Sequence, residues 1–143
     1  MSSAQETKEK VKLVQDTVDE FTKQVVKITK PYYSGKPRKK VKFFISRYGE
    51  TYGLCIAPVV NLGCCGAGEN YVTFLFNDDT TLTLDVDRAI VDCAGGQYSV
   101  YEIDESMFQG KTIKKIRLMQ SVSFLDADYT CEYSMQELIG AVK

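Results

Sequence analysis

Between residues 11 and 28 apolar side chains recur at alternating intervals of three and four: Val11, Val14, Val18, Phe21, Val25 and Ile28, separated by Lys, Glu, Asp, Gln and Thr. On an α-helix that spacing draws one narrow apolar seam. The pattern therefore predicts an N-terminal amphipathic helix, with Thr7 and Ala4 extending the frame backwards. The seam is rich in Val and holds no Leu. β-Branched residues are mediocre helix formers, so packing rather than propensity would have to hold this segment. Two partners satisfy the seam: the chain's own β-domain, or the same helix of a neighbouring copy. Pro31 would end the helix, because it lacks an N–H and pushes Lys30 away from α geometry.

Beyond Gly35 and Pro37 the period changes to two. Val41, Phe43 and Ile45 share one strand face, as do Tyr52, Leu54 and Ile56. Tyr71 to Phe76 is apolar on both faces apart from Thr73, the mark of a strand covered on both sides. Leu82, Leu84 and Val86 alternate with Thr81, Thr83 and Asp85, and Asn77 to Thr80 between the two runs reads as a hairpin turn. Further strands are expected over Ala89 to Cys93, Tyr98 to Ile103, Ile113 to Met119, Ser121 to Phe124 and Tyr129 to Tyr133. Asp104 to Phe108 reads as one helical turn stopped by Gly110. Ser134 and Glu137 fit a capping box, which predicts a closing helix from Met135 to Val142.

These elements give a mainly β, α+β fold: an antiparallel β-sandwich or small barrel with an N-terminal amphipathic helix and a short C-terminal helix. The 143 residues suit one domain with an appended helix. The expected organisation is a heptad helix over 1–31, a basic linker over 32–40 and a β-rich domain over 41–143.

Three pieces carry a family resemblance: Tyr71 to Leu84, Asp92 to Tyr98, and Lys111 to Leu118. With them, residues 40 to 133 resemble small uncharacterised β-domains of Bacteroides-group gut bacteria and their phages. The shared motifs are hairpin and strand patterns. The resemblance implies a binding or virion-associated module and brings no activity with it.

The net charge of −1 hides a segregated chain. Residues 21–49 hold nine basic side chains and no acid, whereas residues 69–108 hold nine acids against the single Arg88. Such a basic stretch has three outlets: nucleic acid or another polyanion, the acidic region of a neighbouring subunit, or neutralisation within the chain. Tyr32 and Tyr33 inside it suit base stacking, and equally suit the first core positions after the helix.

Candidate chemistry is sparse. The chain has no His, which removes the usual general base, the Ser/His and Cys/His dyads and the commonest zinc ligand. Asp85 with Asp87, and Asp126 with Asp128, are spaced to project from one strand face, where paired carboxylates suit Mg²⁺ or Ca²⁺; a solvated face is the plainer alternative. Five cysteines, an odd number in a chain without a recognisable export signal, speak against a disulfide framework. Cys55, Cys93 and Cys131 fall in strand-like runs and read as packing. Cys64 and Cys65 lie in a Gly-rich loop, Gly63 to Gly68, where adjacent thiols suit a soft metal or oxidation, but no Cys-x-x-Cys pair accompanies them. That loop also lacks the order of a phosphate cradle.

The expected function is a non-enzymatic structural or interaction protein that self-associates or docks into a larger assembly such as a phage particle. The seam residues Val11, Val14, Val18, Phe21, Val25 and Ile28 would attach it, and the opposite charge blocks would orient it. The alternative is a polyanion or nucleic-acid-binding module using residues 23–47, with Lys36, Arg38, Lys39, Lys40 and Lys42 on phosphates. A metal- or thiol-dependent enzyme is a third class. No cofactor is expected. No run of apolar residues is long enough to span a membrane, and the polar N-terminus reads as a protein of the cytoplasm or of the inside of an assembly.

Overall fold

A computed structural model describes residues 9–60, 69–85, 88–92, 96–121 and 123–143, and among these described residues it shows eleven strands, one 3-10 turn and one helix. The strands are β1 (Leu13–Val18), β2 (Val25–Thr29), β3 (Tyr32–Lys36), β4 (Lys39–Tyr48), β5 (Thr51–Pro58), β6 (Glu69–Phe76), β7 (Thr81–Asp85), β8 (Arg88–Asp92), β9 (Gly96–Ile103), β10 (Ile113–Ser121) and β11 (Ser123–Asp128). The 3-10 turn spans Glu105–Phe108 and the helix α1 spans Met135–Ala141. Ala4 and Thr7, the loop from Gly63 to Gly68 with Cys64 and Cys65, and Val86, Asp87 and Cys93 lie outside the described residues.

All strand pairs are antiparallel. Seven strands form one sheet in the order β1-β2-β4-β5-β9-β8, with β3 also on β4, and four form a second sheet in the order β11-β10-β6-β7. β2 and β3 lie end to end along one edge of the long β4: β2 pairs its residues Ser46 to Tyr48 and β3 its residues Lys39 to Phe43. Lys30 and Pro31 make the break between them, where Pro31 has no N–H to donate to a ladder.

Alternation sets the core. Val41, Phe43, Ile45, Leu54, Ile56, Tyr101 and Ile103 from the larger sheet meet Val72, Phe74, Phe76, Ile116, Leu118, Leu125 and Ala127 from the smaller one in a single buried cluster. Leu138, Ile139 and Val142 close its end. α1 starts as its sequence demands: the Ser134 side chain accepts from the Glu137 backbone while Glu137 reaches back to the Ser134 N–H. Gln136 then ties the helix to the 3-10 turn by donating to the Phe108 carbonyl and, at 3.1 Å, to the Lys111 carbonyl. The β6 strand is covered on one face only; Val72, Phe74 and Phe76 are buried while Tyr71, Thr73 and Leu75 are half-buried on the other.

Side-chain hydrogen bonds join the two sheets at one corner. Buried Ser34 donates to the Asp128 carbonyl at 2.7 Å and accepts from the Thr130 N–H at 2.9 Å, and the Gly35 N–H donates to the Thr130 hydroxyl at 2.9 Å. Gly35 has φ +115, and a Cβ there would stand 2.1 Å from the Lys39 carbonyl oxygen and 3.1 Å from the Ala127 Cβ.

Further sequence expectations are corrected. Residues 32–40, expected as a basic linker, form β3 and the first residues of β4, with Tyr32 in the core. The expected N-terminal helix is a β-hairpin: β1 pairs β2 with Val18 opposite Val25 and Asp16 opposite Lys27. The same β-branched side chains that make a poor helix fit a pleated surface well, and β2 gains a ladder on β4 that an isolated helix would lack. The expected strand from Tyr129 to Tyr133 is an irregular connection into α1. Its bonds go to separate partners rather than to one ladder: the Tyr129 N–H donates to the Lys114 carbonyl at 3.0 Å, the Thr130 N–H to the Ser34 hydroxyl at 2.9 Å, and the Tyr129 hydroxyl to the Tyr133 carbonyl at 2.6 Å.

Candidate interaction surface

The hairpin gives the former seam a different geometry. In a strand, residues three apart point to opposite faces, so the six residues do not make one stripe. Val11, Val25 and Ile28 are half-buried, while Val14, Val18 and Phe21 are exposed, at 65%, 59% and 91%. Val14 sits at a bulge, where the β1–β2 register shifts between Leu13 and Gln15. Among the described residues β1 is the outer strand of the larger sheet, and one row of its backbone donors and acceptors has no strand partner there.

Phe21 is not on a loose tip. The Asp19 carboxylate accepts from the Phe21 N–H at 2.8 Å and the Thr22 N–H at 3.1 Å, and the Tyr48 hydroxyl donates to its other oxygen at 3.2 Å. The backbone closes the turn through Asp19 N–H to the Gln24 carbonyl and Lys23 N–H to the Asp19 carbonyl, with Lys23 in the left-handed region at φ 62. These bonds, the Thr22 N–H first, hold the Asp19 carboxyl below its ordinary pKa. Its contribution is therefore present above the ordinary carboxylate range and lost as pH falls through the lowered value. Asp19 and Tyr48 were not singled out from the sequence. The available signal was an Asp able to bond the backbone two residues on, which favours a turn over a helix interior.

The basic stretch does not form one patch. Lys36 pairs with Asp128 at 3.7 Å, and Lys36 and Lys39 line a pocket of about 260 Å³ with Lys115, Asp126 and Asp128. Arg38 stands at the β3–β4 turn with φ 72. Lys40 and Lys42 alternate with buried Val41 and Phe43 and so face away from the core. Lys42 lies opposite Tyr33 in register and 5.9 Å from the centre of the Tyr98 ring. A hydrogen bond with Tyr98 raises the Lys42 pKa. Tyr32 is a core residue and Tyr33 is exposed. Lys27 adds an ion pair to Asp16 at 4.0 Å. From the acidic block, Asp78 pairs with Lys111 at 2.6 Å and Glu105 with Lys143.

The paired carboxylates of β11 are spoken for. Asp126 takes the Arg117 fork at 2.6 and 2.8 Å, and Asp128 faces Lys36 and Lys115. The Arg117 hydrogen bond holds the Asp126 pKa down. No group of potential metal ligands occurs among the described residues. Cys55 is buried on β5 and Cys131 half-buried in the connection to α1, both as thiols. Among the described residues no helix is long and apolar enough to cross a membrane. In comparisons with known proteins, no family model, no curated protein and no solved structure matches the chain.

Proposed function

We propose that the chain is a β-sandwich interaction protein that self-associates through its N-terminal hairpin. The observation that carries this is Phe21, 91% exposed at the end of a turn built by Asp19 and Tyr48. Interface anchors are characteristically aromatic side chains held in one place before binding, because less ordering entropy is then lost. The outer strand beside it supplies backbone groups for pairing.

A second copy suits this edge because its two ends complement each other. Phe21 and Val18 stand at one end of β1 and Val11 and Val14 at the other. Antiparallel pairing of β1 with β1 about a two-fold axis sets each Phe21 end beside the partner's Val11–Val14 end. Asp16, the charge that would otherwise guard the edge, is within ion-pair distance of Lys27. Placement in a larger assembly, a phage particle among them, is supported by the resemblance of residues 40 to 133 alone.

Replacing Val18 and Phe21 together with Ser is expected to abolish association in sedimentation velocity. The thermal unfolding midpoint of the dissociated chain should stay within what exposed substitutions cause, about 0.5 kcal/mol each. A double variant that sediments as the parent chain does would sink the proposal.

A second reading follows from one observation: exposed Tyr33 is paired in register with Lys42, beside Lys40 and Tyr98. Aromatic and basic side chains on one sheet face suit single-stranded nucleic acid. With Lys36 and Lys39 turned toward Asp126 and Asp128, only part of the basic stretch serves this face. The expected log affinity for oligo(dT) therefore falls with log salt at a shallow slope, about −1 to −2 for two lysine contacts. Lys40→Glu with Lys42→Glu should remove it. No binding at low salt contradicts this reading.

A further inference from the structure

The face of the four-stranded sheet turned away from the core carries side chains in three cross-strand rows. Register sets Asp85, Tyr71, Met119 and Phe124 in the first, and Thr83, Thr73, Arg117 and Asp126 in the second. Thr81, Leu75, Lys115 and Asp128 make the third. A pocket of about 410 Å³ lies over their centre. Its chemistry is unlike that of an idle solvated face. Phe124 is 54% exposed although Leu and Ala on either side of Asp126 point inward. The Arg117 guanidinium lies 4.5 Å from the Phe124 ring centre and grips Asp126 with both Nε and Nη2. The Thr73 and Thr83 hydroxyls meet at 2.8 Å.

Each of these features selects for the same ligand chemistry. The fork uses two of the five Arg117 N–H groups and one lone pair on each Asp126 oxygen, so donors and acceptors remain side by side on a fixed plane. The two Thr hydroxyls both give and accept. The three rows hold three acids, Asp85, Asp126 and Asp128, and two bases, Arg117 forked to Asp126 and Lys115 at 3.9 Å from Asp128. Lys36 and Lys39 approach only at the Asp126–Asp128 edge, so the part of the face around Tyr71 and Phe124 carries no cluster of positive charge for a polyanion. Tyr71 and Phe124 are two strand spacings apart, about 10 Å. Two aromatic side chains at that separation, with Met119 between them and a row of paired donors and acceptors alongside, match a chain of rings whose C–H faces are apolar and whose edges are hydroxyls.

We infer that this sheet face binds a neutral pyranose oligosaccharide, with ring faces on Phe124 and Tyr71 and hydroxyls on Arg117, Asp126 and Thr73. The site is separate from the hairpin and works in a single copy of the chain.

The test is titration of the ¹⁵N-labelled full chain with cellohexaose, xylohexaose, mannohexaose and maltohexaose, followed by amide shifts. The expected result is saturable binding of at least one, with Kd on the order of 0.1–1 mM, and shifts centred on Tyr71, Thr73, Arg117 and Phe124. Phe124→Ala should weaken it at least tenfold, and Asp126→Asn, which keeps the shape and loosens the fork, should weaken it too. Phe21→Ser and Tyr33→Ala, which remove exposed aromatics elsewhere, should leave it unchanged. Amide dispersion of each variant establishes that it is folded. Absence of shifts with all four sugars overturns the inference, as does binding that survives both Phe124→Ala and Asp126→Asn. Shifts on this face with heparin alone, or on addition of a protein partner alone, also overturn it.

Discussion

Gly35→Ala is expected to destabilise the fold by at least about 2 kcal/mol, read as a lower urea midpoint at unchanged m-value. Two costs act together. Gly35 has φ +115, a region that residues with a Cβ occupy at about 1–3 kcal/mol. The new methyl would also stand 2.1 Å from the Lys39 carbonyl oxygen, a backbone atom that cannot swing aside, and relieving that contact costs a similar amount. The clash lies where the sheets are joined. Moving Gly35 to relieve it pulls on its bond to Thr130 and on the neighbouring Ser34, which holds Asp128 and Thr130. A variant as stable as the parent would mean that this corner does not hold the sheets together.

Phe108→Ala should cost about 3–5 kcal/mol by the same measurement. Phe108 is fully buried and meets Phe74 edge-on at 5.2 Å between ring centres and Phe76 at 6.5 Å. Edge-to-face aromatic pairs add about 0.5–1.5 kcal/mol beyond area. Its carbonyl also accepts from Gln136, so the cavity opens where α1 is moored. Phe108→Leu, which keeps most of the volume, should lose less. Equal losses for the two variants would contradict the edge-on packing.

Much of the fold was legible in the sequence where local chemistry and tertiary packing agree. Val41, Phe43 and Ile45 alternate and are all fully buried. The Asn77 to Thr80 turn closes through the Phe76 N–H to the Thr80 carbonyl, and Asp78 accepts from the Thr80 N–H as turn acids do. Ser134 and Glu137 cap α1 reciprocally. The N-terminal segment failed for a definable reason. A hairpin whose turn falls between Val18 and Val25 keeps a three-and-four spacing across the reversal, so Val18 and Val25 meet as cross-strand neighbours instead of successive helical turns. The absence of Leu from the seam positions and the Val and Thr of the segment were the evidence against a helix. Tyr129 to Tyr133 is no strand because its backbone N–H groups find scattered partners, the Lys114 carbonyl and the Ser34 hydroxyl among them, and no periodicity records that.

The candidate surfaces were less legible. Which of Val11, Val14, Val18, Phe21, Val25 and Ile28 face water depends on what packs against the hairpin, Tyr133 and Ala141 beside Val11 among them, and that is a tertiary fact. The Arg117, Phe124 and Asp126 cluster joins two strands through their register, so its members look ordinary in the chain. The basic stretch is one block only along the sequence. Strand alternation sends Lys39 and Lys40 to different sides.

Self-association is tested most directly by the solution mass of the unmodified full chain, measured by light scattering over a dilution series. The hairpin edge predicts a mass of at least twice the 16.1 kDa of one copy at high concentration, falling toward 16.1 kDa on dilution. A mass of 16.1 kDa at every concentration would contradict it.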